Sequence, residues 1–240
     1  MRRLKPVGRA AMLLFLCAGL GTGLGAQTSP ATHVLEPHEH APNLGQLKTR
    51  LVAYHDCKGG DGCYETDLNR QSDRAIAYLD RRVAQAKAGA KLALVLDIDE
   101  TSLSNWEEEK QDDFGYIAKD WNDWVRQKKA TAIAGTLRLA NDALKHGVAV
   151  FFITGRSEEQ RDATAENLKT AGYHDWAGLA LRKAHPATQT TVDYKSAERR
   201  KIVDAGYKIV LNVGDQMSDL KGDPQAEMSV KLPNPFYYIP

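Results

Sequence analysis

A short, almost uninterrupted apolar run at residues 92–96 constrains the fold of this chain more than any other feature of its sequence. The run Leu-Ala-Leu-Val-Leu has the length of one β-strand, and it is apolar at every position. A strand that is apolar on both faces belongs in a parallel sheet whose two faces are covered by helices. The run therefore predicts a buried parallel strand.

Segments of the same kind return along the chain and alternate with segments of helical spacing. Further strands are predicted at residues 148–153, 179–181, 207–213 and 228–232. Helices are predicted between them at 135–146, 157–171 and 195–205, and ahead of the first strand at 44–54 and 65–88. A glycine follows each of the three later helices, which favours a helix end there. This alternation predicts an α/β fold, a doubly wound parallel sheet with N-terminal helices.

The first 26 residues have the layout of a secretory signal peptide. Four basic residues occur within the first nine, an apolar run follows at 10–20, and small residues continue to Ala26. The apolar run is shorter than the roughly 20 residues that a membrane-spanning helix needs. We therefore expect an exported protein, periplasmic or secreted, in which a flexible linker at 27–42 precedes one domain at 43–240.

The cysteines bear on anchoring and on redox compartment. Cys17 raises the alternative of a lipid anchor in the outer membrane, but Leu16 stands before it where such sequences have a small residue, so membrane anchoring is disfavoured. After cleavage only Cys57 and Cys63 remain, in a glycine-rich segment. In an oxidising compartment they predict a small disulfide loop, with a metal site as the alternative.

The charge of the chain argues against a nucleic acid polymer as partner. The formal net charge is +1, and it becomes −3 once the four basic residues of the signal peptide are removed. The mature chain has no basic patch of the kind that binds nucleic acid.

Acidic and hydroxyl side chains stand where the predicted strands end. Asp97 and Asp99 follow the first strand, Thr154 follows the second, and Asp215 follows the strand at 207–213. In open parallel sheets, ligands bind beyond the carboxyl ends of the strands. We therefore expect these residues to share one site.

The residue types at these positions point to metal-assisted phosphate chemistry. Asp97 and Asp99 are one residue apart and face the same way in an extended chain. Like charges this close require a cation, and a few carboxylates with room for water and phosphate are usual ligands of Mg²⁺. Thr154 offers a hydroxyl ahead of a predicted helix start, and Lys195 offers an ammonium that neutralises phosphate charge. Taken singly, each residue is also compatible with a turn or a helix cap.

The order of these motifs resembles that of the haloacid dehalogenase (HAD) superfamily. The four motifs are Asp97-x-Asp99-x-Thr101, Thr154-Gly155-Arg156, Lys195, and Gly214-Asp215-Gln216-Met217-Ser218-Asp219. More narrowly, segments 193–196 and 214–220 and the tail 232–238 resemble the class B secreted acid phosphatases, HAD subfamily IIIB. That branch includes bacterial outer-membrane acid phosphatases and plant vegetative storage proteins. The resemblance covers roughly residues 43–240 and implies the Rossmann-like HAD fold.

The resemblance also implies a mechanism. Asp97 would be the nucleophile that attacks phosphorus, and Asp99 would protonate the leaving oxygen and then serve as base for water. Thr154 and Lys195 would bind phosphate. The ligands of Mg²⁺ would be Asp97, the backbone carbonyl of Asp99, and Asp215, with Asp219 close by but not touching the ion. The expected enzyme is a magnesium-dependent acid phosphatase of small phosphomonoesters, with nucleoside 5′-monophosphates among the candidates.

The stretch between the first two motifs is longer than a plain crossover needs, and we expect a small cap insertion at about 103–133. It contains the aromatic residues Trp106, Phe114, Tyr116, Trp121 and Trp124. Trp106, which stands near the Asp97 motif, is the candidate for contact with substrate. Trp121 and Trp124 have helical spacing, and packing of the insertion onto the core is favoured for both.

Three alternative functions stay open at this point. A storage-type relative without catalysis would keep the fold, although the aspartate at position 97 argues against this. A phosphotransferase would use the same motifs and pass phosphate to an alcohol. A response-regulator receiver domain also uses a strand-end aspartate and Mg²⁺, but it would lack the paired Asp99 and an export signal.

Overall fold

The structure is a computed structural model that describes residues 41–184 and 188–239. The predicted signal peptide at 1–26, its Cys17, and all but the end of the predicted linker at 27–42 lie outside the described residues. Within the described part of the chain, no helix combines the length and the apolar character needed to cross a membrane.

The core of the protein is a five-stranded sheet in which every neighbouring pair of strands is parallel. The seven strands of the described chain are β1 (Leu92–Leu96), β2 (Leu103–Ser104), β3 (Thr131–Ala132), β4 (Ala149–Ser157), β5 (Gly178–Arg182), β6 (Lys208–Gly214) and β7 (Met228–Lys231). The order across the sheet is β5-β4-β1-β6-β7, so β1 is central. The parallel sheet predicted from the apolar runs is confirmed.

Helices cover both faces of this sheet. They are α1 (Leu44–Asp56), α2 (Tyr64–Ala84), α3 (Trp106–Gln111), α4 (Ala118–Gln127), α5 (Ala134–Lys145), α6 (Arg161–Thr170), α7 (Thr191–Asp204) and the short α8 (Met217–Leu220). Leu92, Leu94 and Leu96 of β1 pack into a core that includes residues of α2, α5 and α6. Ala93 and Val95 pack on the other side with residues of α7. Alternate side chains of β1 thus point to opposite faces of the sheet and contribute to two separate hydrophobic cores.

An insertion separates β1 from α5. Strands β2 and β3 pair antiparallel, with Leu103 opposite Ala132, and helices α3 and α4 lie between them. The insertion therefore leaves and rejoins the core at adjacent points. The disulfide between Cys57 and Cys63 closes the loop between α1 and α2, where the Cα atoms are 5.4 Å apart.

Two elements near the site begin or end at positions that differ from the prediction. Strand β4 continues through Thr154 to Ser157, because Ser157 still pairs with Arg182 of β5 after a shift in register. Helix α7 begins at Thr191, four residues before Lys195, because Thr190 and Asp193 form a capping box. Lys195 therefore lies one turn inside α7 and does not open it.

Candidate active site

Three carboxylates meet at the carboxyl ends of β1 and β6. Asp97 directly follows β1, Asp215 directly follows β6, and Asp219 lies in α8. All three are buried, and each offers an oxygen within 4.8 Å of the other two. Oxygen donors at this spacing suit a divalent cation. The sequence placed Asp97, Asp215 and Asp219 at one site, and the structure brings them together.

Lys195 supplies an ammonium group to this cluster. Its Nζ donates hydrogen bonds to Asp97 and, at 2.5 Å, to Asp219. Burial alone would lower the pKa of Lys195, but the charges of Asp219 and Asp97 outweigh burial and raise that pKa. Burial raises the pKa of Asp97, and Lys195 opposes this rise. One ammonium beside three carboxylates leaves excess negative charge, which a divalent cation would neutralise.

Asp215 is oriented by three donors, one from the next residue and two from remote parts of the chain. Thr101 Oγ1 donates to it at 3.0 Å, and the side-chain amides of Gln216 and Asn234 both donate at 2.7 Å. Burial and the charge of Asp219 nevertheless raise the pKa of Asp215 to about 6. The C-terminal segment that carries Asn234 is therefore part of the site.

The carboxylate of Asp99 turns toward a different partner. Arg156 donates to it from Nε at 3.0 Å and from Nη2 at 2.7 Å, and Asn105 Nδ2 donates at 3.0 Å. The side chain of Asp99 is 17% exposed, against 7% for Asp97, so it is the more accessible of the pair. The predicted contact of Asp99 with the metal involves its backbone carbonyl. The hydrogen bonds of its carboxylate carry no information about that contact, which stays a prediction.

Arg156 is a site residue whose role the sequence reasoning missed. It stands in the Thr-Gly-Arg motif, but no partner was assigned to it. The available signal was an arginine at a strand end beside two candidate carboxylates, since arginine and carboxylate form bidentate pairs.

Thr154 lies beside Asp99 and is fully buried. Its Oγ1 accepts a hydrogen bond from the backbone N of Arg156 at 3.1 Å and lies 3.5 Å from an oxygen of Asp99. The next residue, Gly155, lines the cavity above the site. The predicted contact between Thr154 and phosphate stays a prediction.

A cavity of about 730 Å³ opens over these residues, a size that suits a small organic ligand. One wall comes from the sheet and α7, and it includes Asp97, Asp99, Arg156 and Lys195. A second part of the lining comes from the insertion and consists of Glu108, Glu109, Phe114, Gly115, Tyr116, Trp121 and Asn122. Residues 237–239 also line it.

The tryptophans of the insertion are placed differently from the sequence expectation. Trp106 is not among the residues that line the cavity; its ring stacks on His55 at 3.6 Å between centroids and also contacts Phe236. Trp121, for which packing was favoured, lines the cavity, and its ring centroid lies 5.5 Å from the guanidinium of Arg156. Trp124 packs against the core and donates to Asn105 at 2.8 Å.

The glycine that precedes Asp215 is required by a close approach. A Cβ atom at Gly214 would collide with the carboxylate of Asp219, which turns back over the end of β6. That carboxylate accepts a hydrogen bond from the backbone N of Gln216 at 2.9 Å in a capping box. The absence of a side chain at Gly214 thus leaves room for the carboxylate of Asp219 beside Asp215.

Comparison with known proteins agrees with this arrangement. Acid phosphatase 1 of Solanum lycopersicum is 40% identical over 179 residues, which cover 73% of this chain and 69% of the tomato protein. The stem 28 kDa glycoprotein of Glycine max is 39% identical over 181 residues, 73% of this chain and 70% of its own. The crystal structure of a class C acid phosphatase from Bacillus anthracis with tungstate bound superposes with a TM-score of 0.66 at 25% identity, covering 81% of this chain and 86% of that one.

The family assignment rests on almost the whole chain. The sequence model for HAD superfamily, subfamily IIIB (acid phosphatase), matches residues 29–240. The resemblance drawn from the four motifs is confirmed, and with it a phosphomonoesterase whose family implies a small phosphoester substrate. Phosphatases of this superfamily use a divalent metal, and the cluster of Asp97, Asp215 and Asp219 could bind one. This chain belongs to the HAD superfamily, subfamily IIIB, the acid phosphatases.

Proposed function

We propose that this protein is a magnesium-dependent acid phosphatase that hydrolyses small phosphomonoesters through a phosphorylated Asp97. One observation carries the proposal. The carboxylate of Asp97 is buried at the end of β1, contacts the ammonium of Lys195, and shares metal-binding distance with Asp215 and Asp219 beneath a ligand-sized cavity.

The donor set fits a small, hard cation. Asp97 and Asp215 would hold Mg²⁺ through carboxylate oxygens, and the backbone carbonyl of Asp99 completes the protein ligands that the family resemblance implies. Asp219 accepts hydrogen bonds from Lys195 and from the backbone N of Gln216. Its role would therefore be to hold Lys195 in place beside Asp97. When bound, the ion lowers the repulsion between an anionic nucleophile and an anionic phosphate.

The chain's own residues would carry two displacement steps. In the first, an oxygen of Asp97 forms a bond to phosphorus while the ester P–O bond breaks, and Asp99 gives its proton to the departing alcohol. In the second, Asp99 takes a proton from water as the water oxygen attacks phosphorus. The P–O bond to Asp97 breaks, and orthophosphate leaves. Lys195 stays charged beside Asp97 and stabilises the negative charge in both steps.

The structure gives Asp99 a suitable position for this role. It is the partly exposed member of the pair and lines the cavity, so it can reach the oxygen of a bound ester. Arg156 holds it from the side, and the rings of the insertion, which we propose to be the cap, cover the cavity. We also propose that residues 1–26 direct export, followed by a linker at 27–42.

Replacement of the nucleophile tests the proposal. Asp97→Asn keeps the size of the side chain, and we expect aryl phosphate hydrolysis to fall by about 10³-fold or more because the amide does not attack phosphorus. Asp123→Asn, at a partly exposed position in α4, is the matched control. Circular dichroism would confirm that both variants fold. Turnover by Asp97→Asn at the rate of the control would refute the assignment.

Metal removal tests the second half of the proposal. EDTA should abolish hydrolysis, and Mg²⁺ added back should restore it in proportion to occupancy, since Asp97 and Asp215 then regain a counter-charge. If another divalent cation restores activity and Mg²⁺ does not, the metal of the proposal is wrong, but the assignment of Asp97 as nucleophile still holds. Activity that survives exhaustive chelation would contradict the metal role of Asp215.

A further inference from the structure

Two glutamates of the insertion line the same cavity as the proposed phosphate site. Glu108 and Glu109 belong to α3, and both line the cavity. They are nevertheless nearly buried, with 5% and 8% of their surface exposed. Their neighbour Glu107 is exposed, so only these two carboxylates of α3 face inward. We call Glu108, Glu109 and the adjacent Asp112 the cap carboxylates.

The cap carboxylates lack partners in the described part of the chain. Glu108 Oε1 is buried without a hydrogen-bond partner, and so is Asp112 Oδ2 one helical turn further on. Like charges four residues apart on a helix repel each other, and a buried carboxylate without a donor is costly. Among the described residues, no salt bridge joins Glu108 or Glu109 to a basic side chain. The wall is therefore suited to a positive group brought by a ligand.

The cations that line the cavity are engaged elsewhere. Lys195 pairs with Asp97 and Asp219, and Arg156 pairs with Asp99. Arg182 lies over the ring of Tyr194 and donates to a backbone carbonyl. None of these three neutralises the cap carboxylates in the structure. The basic side chains of the cavity thus leave the carboxylates of α3 without a counter-charge.

A metal ion does not fit the cap carboxylates. In the described residues, the groups that bring three ligand atoms within 4.8 Å are Asp97 with Asp215 and Asp219, and Asp80 with Asp142 and His146. The cap carboxylates form no such group. Instead, Glu108 and Glu109 line the cavity together with the rings of Phe114 and Trp121, which attract organic cations.

We propose that Glu108 and Glu109 bind an ammonium group on the leaving alcohol, so that the preferred substrates are phosphomonoesters of amino alcohols. The inference rests on the proposed function for the phosphate end and names the substrate class of the same site. The N–H donors of a primary ammonium would pair with the carboxylates of Glu108 and Glu109, which line the cavity and which no basic side chain of the described chain neutralises. The phosphate would lie over Asp97 and Lys195, and the ammonium at α3.

The titration of the two glutamates agrees with this assignment. Burial raises the pKa of Glu108 to about 7, with further contributions from Asp112, Asp99 and Asp120. Burial raises the pKa of Glu109 to about 8, helped by Glu108, Asp99, Asp215 and Asp112. A bound ammonium lowers both pKa values by favouring the ionised form. The preference for ammonium should therefore grow as pH rises toward 8.

A matched substrate series tests the inference on the full-length, Mg²⁺-loaded enzyme. We would measure kcat/KM for ω-aminoalkyl phosphates of increasing chain length and for alkyl phosphates in which a methyl group replaces the ammonium. The wild-type protein should prefer the amino compound by about tenfold or more at the best chain length. Glu108→Gln and Glu109→Gln should each reduce this ratio, and Glu107→Gln, on the exposed face of the same helix, should keep it.

The readouts separate this inference from the proposed function. No hydrolysis of any phosphate ester, aryl phosphate included, would refute the proposed function. Hydrolysis of aryl phosphate with equal kcat/KM for the amino and alkyl series would refute the ammonium assignment alone. A ratio that Glu108→Gln and Glu107→Gln change equally would do the same, because the inward carboxylate would then have no special part.

Discussion

Arg156 and Asp99 form a pair whose geometry bears directly on proton transfer. The guanidinium donates from two nitrogens to one carboxylate, and Asn105 donates from a third direction. A carboxylate held this way keeps a fixed direction toward the cavity, which is what transfer of a proton to a leaving oxygen requires. Arg156 therefore acts through Asp99 as a positioning residue.

Replacement of Arg156 by lysine should reveal this positioning role. Arg156→Lys keeps the charge but loses the planar fork, so we expect kcat for alkyl phosphates to fall by about 10- to 100-fold. Aryl phosphates with a good leaving group need less proton transfer and should lose less. The measurement is the kcat ratio between the two ester classes. Arg138→Lys, exposed on α5, is the control, and equal losses for both classes would contradict the role.

The tryptophans show where residue-level prediction fails. Helical spacing described Trp121 and Trp124 as packing residues, and for Trp124 the structure agrees. Helical spacing contains no information about His55, which lies 51 positions before Trp106 in the sequence and stacks on the Trp106 ring. Contacts between remote segments decide which of several aromatic residues reaches a cavity, and a local pattern does not contain them.

At the scale of elements, the turn from β6 into α8 is the most constrained part of the site. Gly214→Ala should push Asp219 away from Lys195 because the new Cβ occupies the place of that carboxylate. We expect a loss of about 1 to 3 kcal/mol in the free energy of unfolding together with lower kcat. Urea unfolding and initial rates would measure both effects.

A double-mutant cycle provides the control for this prediction. In an Asp219→Gly background both the carboxylate and the Cβ that a new Cβ at Gly214 would meet are gone, so Gly214→Ala should cost much less than it does alone. An equal cost in both backgrounds would show that the penalty comes from the backbone and not from the contact with Asp219.

The elements themselves were predicted better than their ends. Apolar runs located the five strands of the main sheet, because burial on both faces leaves a continuous signal. The start of α7 was wrong because the capping box of Thr190 and Asp193 is polar and lies outside the apolar period. The extension of β4 through Thr154 depends on pairing with β5, about 25 residues further along the chain.

At the scale of the whole molecule, an ion-pair group ties α2 to the starts of β6 and of the edge strand β7. Arg82 Nε donates to Glu227 at 2.6 Å, and Lys208 Nζ lies 2.5 Å from the same carboxylate. Hydrogen bonds from Arg82, against the effect of burial, lower the pKa of Glu227 to about 2, and Lys208 adds to this. The group keeps its charge in moderately acidic solution.

This depressed pKa predicts how stability depends on pH. A carboxylate with a lowered folded-state pKa stabilises the fold above its unfolded pKa of about 4.5, and the contribution disappears as pH falls toward about 2. Glu227→Gln should therefore lower the free energy of unfolding by roughly 1 to 2 kcal/mol near neutral pH, partial exposure limiting the effect. Near pH 2 the variant and wild type should match.

Chemical denaturation at a series of pH values would measure the difference. Glu65→Gln, an exposed glutamate at the start of α2, serves as the comparison and should show little dependence on pH. A Glu227→Gln penalty that stays constant from neutral to strongly acid solution would contradict the ion-pair explanation.

The cation pocket draws its ligands from places far apart in the chain, since Asp97 precedes Asp215 by more than a hundred positions. A ribosome must therefore complete most of the polypeptide before any ion can be captured. If the proposed export carries the chain across a membrane in an unfolded state, the enzyme takes its metal from the destination compartment. The supply of magnesium there, and not in the cytosol of synthesis, would then set the fraction of active molecules.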